Sequence, residues 1–313
     1  MRLGTRGRIG AAIALLGALH GVVLLAGWLA PYPYAEQHRD FAYAPPTPLH
    51  FVQARLYAGP DPVRLFVRGR LFGVDPPGMI FLLGTDGFGR DVLSRLLYGG
   101  QVSLLTGLAA AFLALGLGSM VGTISGFYGG WPDRLLMRSG DLFLALPWLY
   151  LLMAVRALLP LHITNAQAFV LLIVVIGAIG WVRPARLVRG VVLSARERGF
   201  VVAARGFGAS DPYLIRRHIL PLTCGVVLTQ ATVLIPQYIL AEVTLSFLGL
   251  GVGEPVPSWG NMLSEAKQFY ALVSHPWMLA PGLAAIPVLF AYLVLADALL
   301  SRPTGGAAKT GIG

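Results

Sequence analysis

Residues 202–221 read "VAARGFGASDPYLIRRHILP", a polar, arginine-bearing stretch set between long apolar runs. Phe200, Ala203, Ala204 and Phe207 fall at i, i+3, i+4 and i+7, one apolar stripe on a short helix. Gly208 follows where a helix C′ glycine belongs. Asp211 then reads as an N-cap, with Pro212 at the first helical position. Tyr213 to Ile219 forms a second short helix, and Leu220-Pro221 punctuates the start of the next apolar run. The segment is therefore helix–break–helix. Two alanines between two phenylalanines leave a shallow face that another protein could cover. The same pattern also suits an amphipathic helix lying on lipid headgroups, with Arg205, Arg216 and Arg217 near anionic lipid. The stretch alone leaves both readings open.

Its surroundings set the class. Of 313 residues, 56% are hydrophobic and only 12% are charged. Soluble domains carry about 25% charged residues. Half that value points to an integral membrane protein, and the helix-length apolar runs below make it all-α and polytopic. The lone Cys224 has no partner for an internal disulfide, so it does not report a redox compartment. The net charge of +10 has two explanations. One is nucleic acid. The other is the excess of arginine and lysine on cytoplasmic loops of membrane proteins.

The N-terminus, "MRLGTRGRIGAAIALLGALHGVVLLAGWLAPYPY", places three arginines before an uncharged run from Ile9 to Ala30. A signal-peptide core spans about 7–15 residues. This run is longer and ends in Trp28 and Tyr32, which suit a membrane interface, so it reads as a retained spanning helix. "GWLAP" offers the competing reading of a cleavage site. A spanning helix needs about 20 apolar residues. Five further runs meet that need, near 101–126, 141–159, 166–182, 222–247 and 278–300. Gly99-Gly100 and "GFYGGWP" at 126–132 mark the ends of the first of these. Six helices put both termini on one side.

The N-terminus, the loop near 128–140, the loop 183–217 and the tail carry 15 of the 24 arginines and lysines on that side, which should be the cytoplasm. That distribution favours a membrane protein over a nucleic-acid partner. The chain then divides into 1–30 (tail and helix one), 31–95 (an extracytoplasmic segment), 96–300 (a five-helix core holding the cytoplasmic loop 183–221) and 301–313 (a cytoplasmic tail). Segment 31–95 is rich in Pro, Tyr and Phe and reads as extended or short-stranded. Ser258 reads as the cap of a short helix over about 259–271, on the outer side.

Several chemistries lack their residues. There is no G-x-x-x-x-G-K-[ST] loop, so the chain itself should bind no ATP. "GTDGFG" at 84–89 is not a dinucleotide fingerprint. The six histidines show no metal-ligand spacing. His20, inside helix one, is either functional or a neutral ring bonded to a neighbouring helix. Gly118, Gly122 and Gly126 form two G-x-x-x-G units in series, for permanent packing or for a sliding contact. Asp141 and Asp297 sit near helix ends. Glu242 lies towards the outer end of its helix and is the better candidate for a residue lining a transport path.

The opening stretch resembles the cytoplasmic "EAA" loop of ABC-transporter permease subunits, with the pattern E-A-A, three residues, G, nine residues, two residues, L-P. Ala203, Ala204, Gly208, Leu220 and Pro221 match it. Val202 replaces the Glu, and His218 stands where Ile is common. "LGTDGFGRDVLSRLLYGGQVSL" (83–104), "GFYGGWPDRLLMRSGDLFLALP" (126–147), "ARLVRGVVLSARERGF" (185–200) and "AEVTLSFLGLGVGEPVPSWGNMLSEA" (241–266) are similar to the dipeptide/oligopeptide branch of that family, in its second-permease type. The resemblance covers about residues 80–300.

It implies a type I importer permease fold with six transmembrane helices and half of a translocation pore. It implies a second homologous permease as heterodimeric partner and two ABC ATPase subunits that use ATP and Mg. It further implies an extracytoplasmic solute-binding protein and a place in the bacterial inner membrane. Phe200, Ala203, Ala204, Phe207, Gly208, Ser210 and Asp211 become the expected ATPase contact, with Leu220 and Pro221 tying it to a spanning helix. Gly84, Asp86, Gly89, Arg90 and Asp91 occur in the outer-side signature, expected to organise the loop into helix two. Peptides are the implied cargo, with nickel or another small solute as the alternative on the same scaffold. The rival from another class is a self-sufficient secondary transporter, which would favour inverted repeats and midplane ion sites. An intramembrane enzyme would need paired catalytic residues at one depth, and none stand out.

Overall fold

The structure, a computed structural model, describes residues 5–52, 55–67, 69–158, 164–267 and 273–301. Four helical stretches are long and apolar enough to cross a membrane: Thr5–Leu24, Val92–Tyr128, Asp211–Phe247 and Pro276–Leu300. Two more crossings are possible only as bent pairs, one kinked by 92° and the other by 44°. The six expected spans thus correspond to four single stretches and two broken ones.

Helix α1 is Thr5–Leu24, followed by the one-turn α2, Ala26–Leu29. His20 takes the bland role: its Nδ1 meets the Leu16 carbonyl at 2.9 Å and its Nε2 lies 3.3 Å from the Tyr292 hydroxyl of the last helix. The segment after α2 holds two small antiparallel sheets. One has strands β1 (Leu49–Val52), β2 (Arg55–Ala58) and β3 (Asp61–Pro62); the other has β4 (Arg64–Val67) and β5 (Arg70–Gly73). The fold is therefore all-α only in its membrane part.

Helix α3, Val92–Tyr128, differs from the expected 101–126. Its 37 residues rise ~55 Å, nearly twice a ~30 Å hydrocarbon core. Gly99 and Gly100 do not end it. A Cβ on Gly99 would lie 3.3 Å from the Ser258 backbone, and one on Gly100 would lie 2.9 Å from Val23 and 3.1 Å from Trp259. These glycines admit neighbours; they do not break the helix. The helix accordingly starts at Val92, nine residues before the expected 101.

Helix α4, Gly130–Ala145, and α5, Trp148–Ala157, replace the single span expected at 141–159. Pro147 follows Leu146, whose φ and ψ of −93° and 140° are extended, as a residue before proline prefers. The end of that expected span, at 159, lies outside the described residues. Helix α6, Asn165–Gly180, opens on a Thr164–Gln167 capping box and continues past Trp181 into α7, Val182–Arg196. The arginine-rich loop expected from 183 is thus helical for its first half. It is held by the glycine repeat: a Cβ on Gly118, Gly122 or Gly126 would come within 2.9, 2.4 and 2.9 Å of the backbone carbonyls of Trp181, Ala185 and Arg189. Within this chain the G-x-x-x-G face packs α3 on α7.

Helix α8 is Gly199–Gly206 and α9 is Asp211–Leu214. A π-turn over Ile215–Ile219 joins α9 to α10, Leu220–Phe247, so the expected separate helix at 213–219 merges with the span. Pro221 lacks an N–H and crowds the preceding turn, and the π-turn widens the helix there. Helix α11, Trp259–Glu265, has the expected Ser258 cap, reciprocated by Asn261. It is shorter than the expected 259–271, of which 268–271 lie outside the described residues. The last helix, α12, is Ala280–Leu300. The tail from 302 on lies outside the described residues.

Three of the buried clusters join the long helices. Ala110, Ala114, Leu152, Leu172, Ile176, Leu234 and Leu245 join α3, α5, α6 and α10. Leu16, Leu104, Ile239, Trp259 and Val288 join α1, α3, α10, α11 and α12. Phe127, Val188, Val192, Val201, Leu214 and Ile219 close the end that carries α8.

Candidate functional site

Helix α8 is anchored from one side only. Val201 is fully buried in the Phe127–Val192 cluster, and Ala204 packs beside it, half-buried. The helix stops on a Schellman motif: Ala209 N–H donates to the Ala204 carbonyl at 3.1 Å and Gly208 N–H to Arg205 at 3.0 Å. Gly208 has φ +84°, which L side chains rarely adopt, and a Cβ there would touch nothing within 4 Å. The glycine is required for backbone conformation, not for space. Ser210 is the N-cap of α9 and Asp211 its first residue, so the helix starts one place earlier than expected, and the Ser210 side chain makes no cap bond.

The opposite face of α8 has no cover among the described residues. Phe207 is 93% exposed, Val202 56% and Phe200 48%. Tyr213 joins them, its ring and that of Phe200 each 5.7 Å from His218. Ala203 is exposed, so the stripe divides: Phe200, Ala203 and Phe207 face out, and Ala204 faces in. Arg205 stacks over Phe127 at 5.2 Å and approaches Asp211 at 4.0 Å. Leu220 is half-buried and Pro221 exposed at the start of α10. Val202, at the position of the family's Glu, adds apolar area to the open face.

At the other end of the molecule the signature residues form a closed network. Gly89, at φ +72°, lets the loop pass so close that a Cβ would come within 2.0 Å of the His38 carbonyl. Gly84, at φ +71°, likewise lies against the Ala44 carbonyl, at 2.7 Å. Asp86 Oδ1 accepts from the backbone N–H of Phe88 and Arg90 at 2.8 and 3.0 Å, and Oδ2 accepts from Arg90 Nε at 2.6 Å. Asp91 caps α3 through the backbone N–H of Ser94 at 2.7 Å. Arg90 donates to Glu254 at 2.5 Å and to Glu265 at 3.0 Å. Arg95 donates to Glu254 at 3.0 Å and lies 3.4 Å from Asp86 and from Glu265. Both guanidiniums are buried, at 3% and 1% exposure.

The network ties the start of α3 to the 249–258 loop and to α11. Burial opposes the charge of Arg90, but Asp86, Glu254 and Glu265 hold its pKa above the ordinary value. Burial, helped by Asp86, lifts the Glu265 carboxyl to about 7 against the pull of Arg95 and Arg90.

Glu242 is fully buried between these ends. Ser246 Oγ donates to its Oε1 at 2.6 Å, and the Ser103 and Ser258 hydroxyls adjoin the carboxyl. Asp297 pairs with Arg8 at 2.6 Å, and Asp141 with Arg186. Val201, Arg95, Glu254 and Glu265 were not among the residues singled out from the sequence. The last three carried one faint signal, acids and arginines together at the same end of a chain with only 14 acids.

With this geometry described, similarity to known proteins can be weighed. The family described as "Binding-protein-dependent transport system inner membrane component" matches residues 118–304. The dipeptide transport system permease protein DppC of Alkalihalophilus pseudofirmus is 39% identical over 217 residues, covering 69% of each chain. The oligopeptide transport system permease protein OppC of Haemophilus influenzae is 38% identical over 217 residues, 69% of this chain and 67% of its own. The di/tripeptide transport system permease protein DppC of Pseudomonas aeruginosa is 35% identical over 278 residues, 88% of this chain and 80% of its own. The chain belongs to the family of binding-protein-dependent transport system inner membrane components, the non-catalytic permease subunits of ABC importers.

Proposed function

We propose that this chain is one permease of an ATP-driven importer of di- and oligopeptides, and that the exposed face of α8 receives an ATPase subunit. The peptide cargo is supported by the names of the similar permeases. The coupling role rests on one observation: α8 buries Val201 and leaves Phe200, Val202 and Phe207 uncovered. A shallow apolar face on a short helix, rigidly ended at Gly208 and continuous through α9 with a spanning helix, suits the transfer of motion between proteins.

In this reading the α8 end and both termini are cytoplasmic, in the bacterial inner membrane. A second, related permease completes the pore. Two ATPase subunits bind and hydrolyse Mg-ATP, one docked on each permease. The end with the strands and the Asp86–Arg90 network faces the solute-binding protein.

Phe207→Asp tests the docking. It places a charge on a side chain that this chain does not bury, so the protein should still insert. The ATPase subunits should no longer co-purify, and binding-protein-dependent peptide uptake should be lost. Normal co-purification with continued uptake would show that α8 is not the dock. Orientation has its own check. A Ser210→Cys, Cys224→Ser chain should resist an impermeant thiol reagent in intact cells and react in opened ones.

A further inference from the structure

Two breaks in the helices converge on one cavity. The 92° break between α4 and α5 and the 44° break between α6 and α7 both adjoin a space of about 250 Å³, walled on a third side by α10. Leu146, Trp148, Gly180, Arg183, Gln237 and Tyr238 line it, with apolar side chains between them. Broken helices free backbone polar groups, and a cavity lined by such breaks is a place where a ligand can meet them.

The cavity is electrically one-sided. Arg183 is its only charged lining residue, and Gln237 adds amide donors. Tyr238 is already committed: its hydroxyl donates to the Gly180 carbonyl at 3.2 Å, and a Cβ on Gly180 would overlap that hydroxyl. The ring is therefore a fixed wall. Arg183 stands in the first turn of α7, where a cation opposes the helix dipole and no acidic residue offsets it. Arg186 and Arg189, on the same helix, bond Asp141 and Asp133. Arg183 has no such carboxylate among the described residues. Arg183 is exposed at the edge of the cavity, so its planar donor pair is open to a ligand, the geometry that recognises a carboxylate.

We propose that this cavity is a cargo subsite in which Arg183, assisted by Gln237, takes the carboxylate of a passing peptide while the apolar walls take the adjoining side chain. The inference rests on the peptide reading above. The volume is below the roughly 300–1,000 Å³ of whole ligand pockets, so the subsite holds one end of a peptide. A metal cation would be repelled by the same guanidinium.

The test uses the complete importer in proteoliposomes with tri-alanine as probe, on complexes whose ATPase content is matched. Arg183→Gln should lower peptide uptake about tenfold, the usual worth of one hydrogen bond to a charged group. Arg183→Lys, which restores the charge without the planar fork, should recover part of it. In an Arg183→Cys, Cys224→Ser complex, peptide trapped during turnover should slow labelling by a thiol reagent. Uptake unchanged in Arg183→Gln, no recovery by Lys, or labelling indifferent to peptide would overturn the subsite. An unaltered importer that takes up no peptide but carries another solute would instead sink the peptide reading, and the subsite with it.

Discussion

The two ends of this molecule use polar and apolar groups in opposite ways. At the strand end, Arg90 and Arg95 are buried and bonded to Asp86, Glu254 and Glu265. At the α8 end, Phe207 and Val202 lie open, and the arginines near them are exposed. A buried charge network is stable only when every member is satisfied, so it fixes a junction within the chain. An uncovered apolar face is satisfied only by something outside the chain. The strand end is therefore closed within the chain, and the α8 end is left open, as the proposed docking requires. Mutations should separate the two. At the strand end they should act on this chain's own stability. At the α8 end they should act on assembly.

The largest change in stability is expected from Arg95→Ala. It leaves Glu254 and Glu265 with one guanidinium between them in a site where Arg95 is only 1% exposed. Removing one partner of a buried ion pair costs about 3–5 kcal/mol. Thermal melting of the purified importer should show a marked fall in the permease transition, with ATPase retention unchanged in the molecules that remain folded. A variant that melts like the unaltered protein would mean the network is decoration.

Gly208→Ala comes next. No atom obstructs the added methyl, so the cost is the left-handed backbone alone, about 1–2 kcal/mol. Hydrogen exchange should rise across α8 and stay unchanged across α11. A rise at both ends would show that the two regions are mechanically one.

How much of this contrast was legible in the sequence differs between the ends. The α8 joint was readable because it is local. Phe200 to Phe207 display their period within two turns, and Gly208 and Pro212 punctuate it. Only the facing of Ala204 was misplaced, because the stripe was drawn through it and the anchor Val201 was passed over. The charge network was not readable. Arg95 and Glu254 are 159 residues apart, and no period links them. Gly99 and Gly100 misled for a related reason. Locally they look like the end of a helix, and only the approach of Val23 and Trp259 shows them to be contact points inside one. The same applies past Trp181, where arginines suggested a loop but packing on Gly118, Gly122 and Gly126 keeps the chain helical.

A smaller effect is expected from pH at the strand end. Burial raises the Glu265 carboxyl from 4.5 to about 7. A carboxyl raised by folding stabilises the protein while protonated. That contribution is complete below the ordinary value of 4.5 and is lost as pH rises through about 7. Exchange protection of residues 259–265 should therefore decline between these limits, and Glu265→Gln should flatten the decline. An unchanged slope in the variant would assign the dependence to another group.

The smallest change in stability should come from Val202→Glu, which installs the carboxylate of the family pattern. Val202 is 56% exposed, and a surface exchange of this kind is worth within about 0.5 kcal/mol to the chain itself. Assembly should respond more. If the partner's face against α8 has adapted to an apolar residue here, the exchange gives up roughly 1 kcal/mol of burial, about a fivefold loss of ATPase retention on dilution. Retention equal to the unaltered chain would show that Val202 lies outside the contact. The open face would then narrow to Phe200, Ala203 and Phe207. Retention greater than in the unaltered chain would show that the partner kept a donor for the missing carboxylate. In every case melting of the permease should stay in place, because at this end the chain has left its apolar groups for another protein to bury.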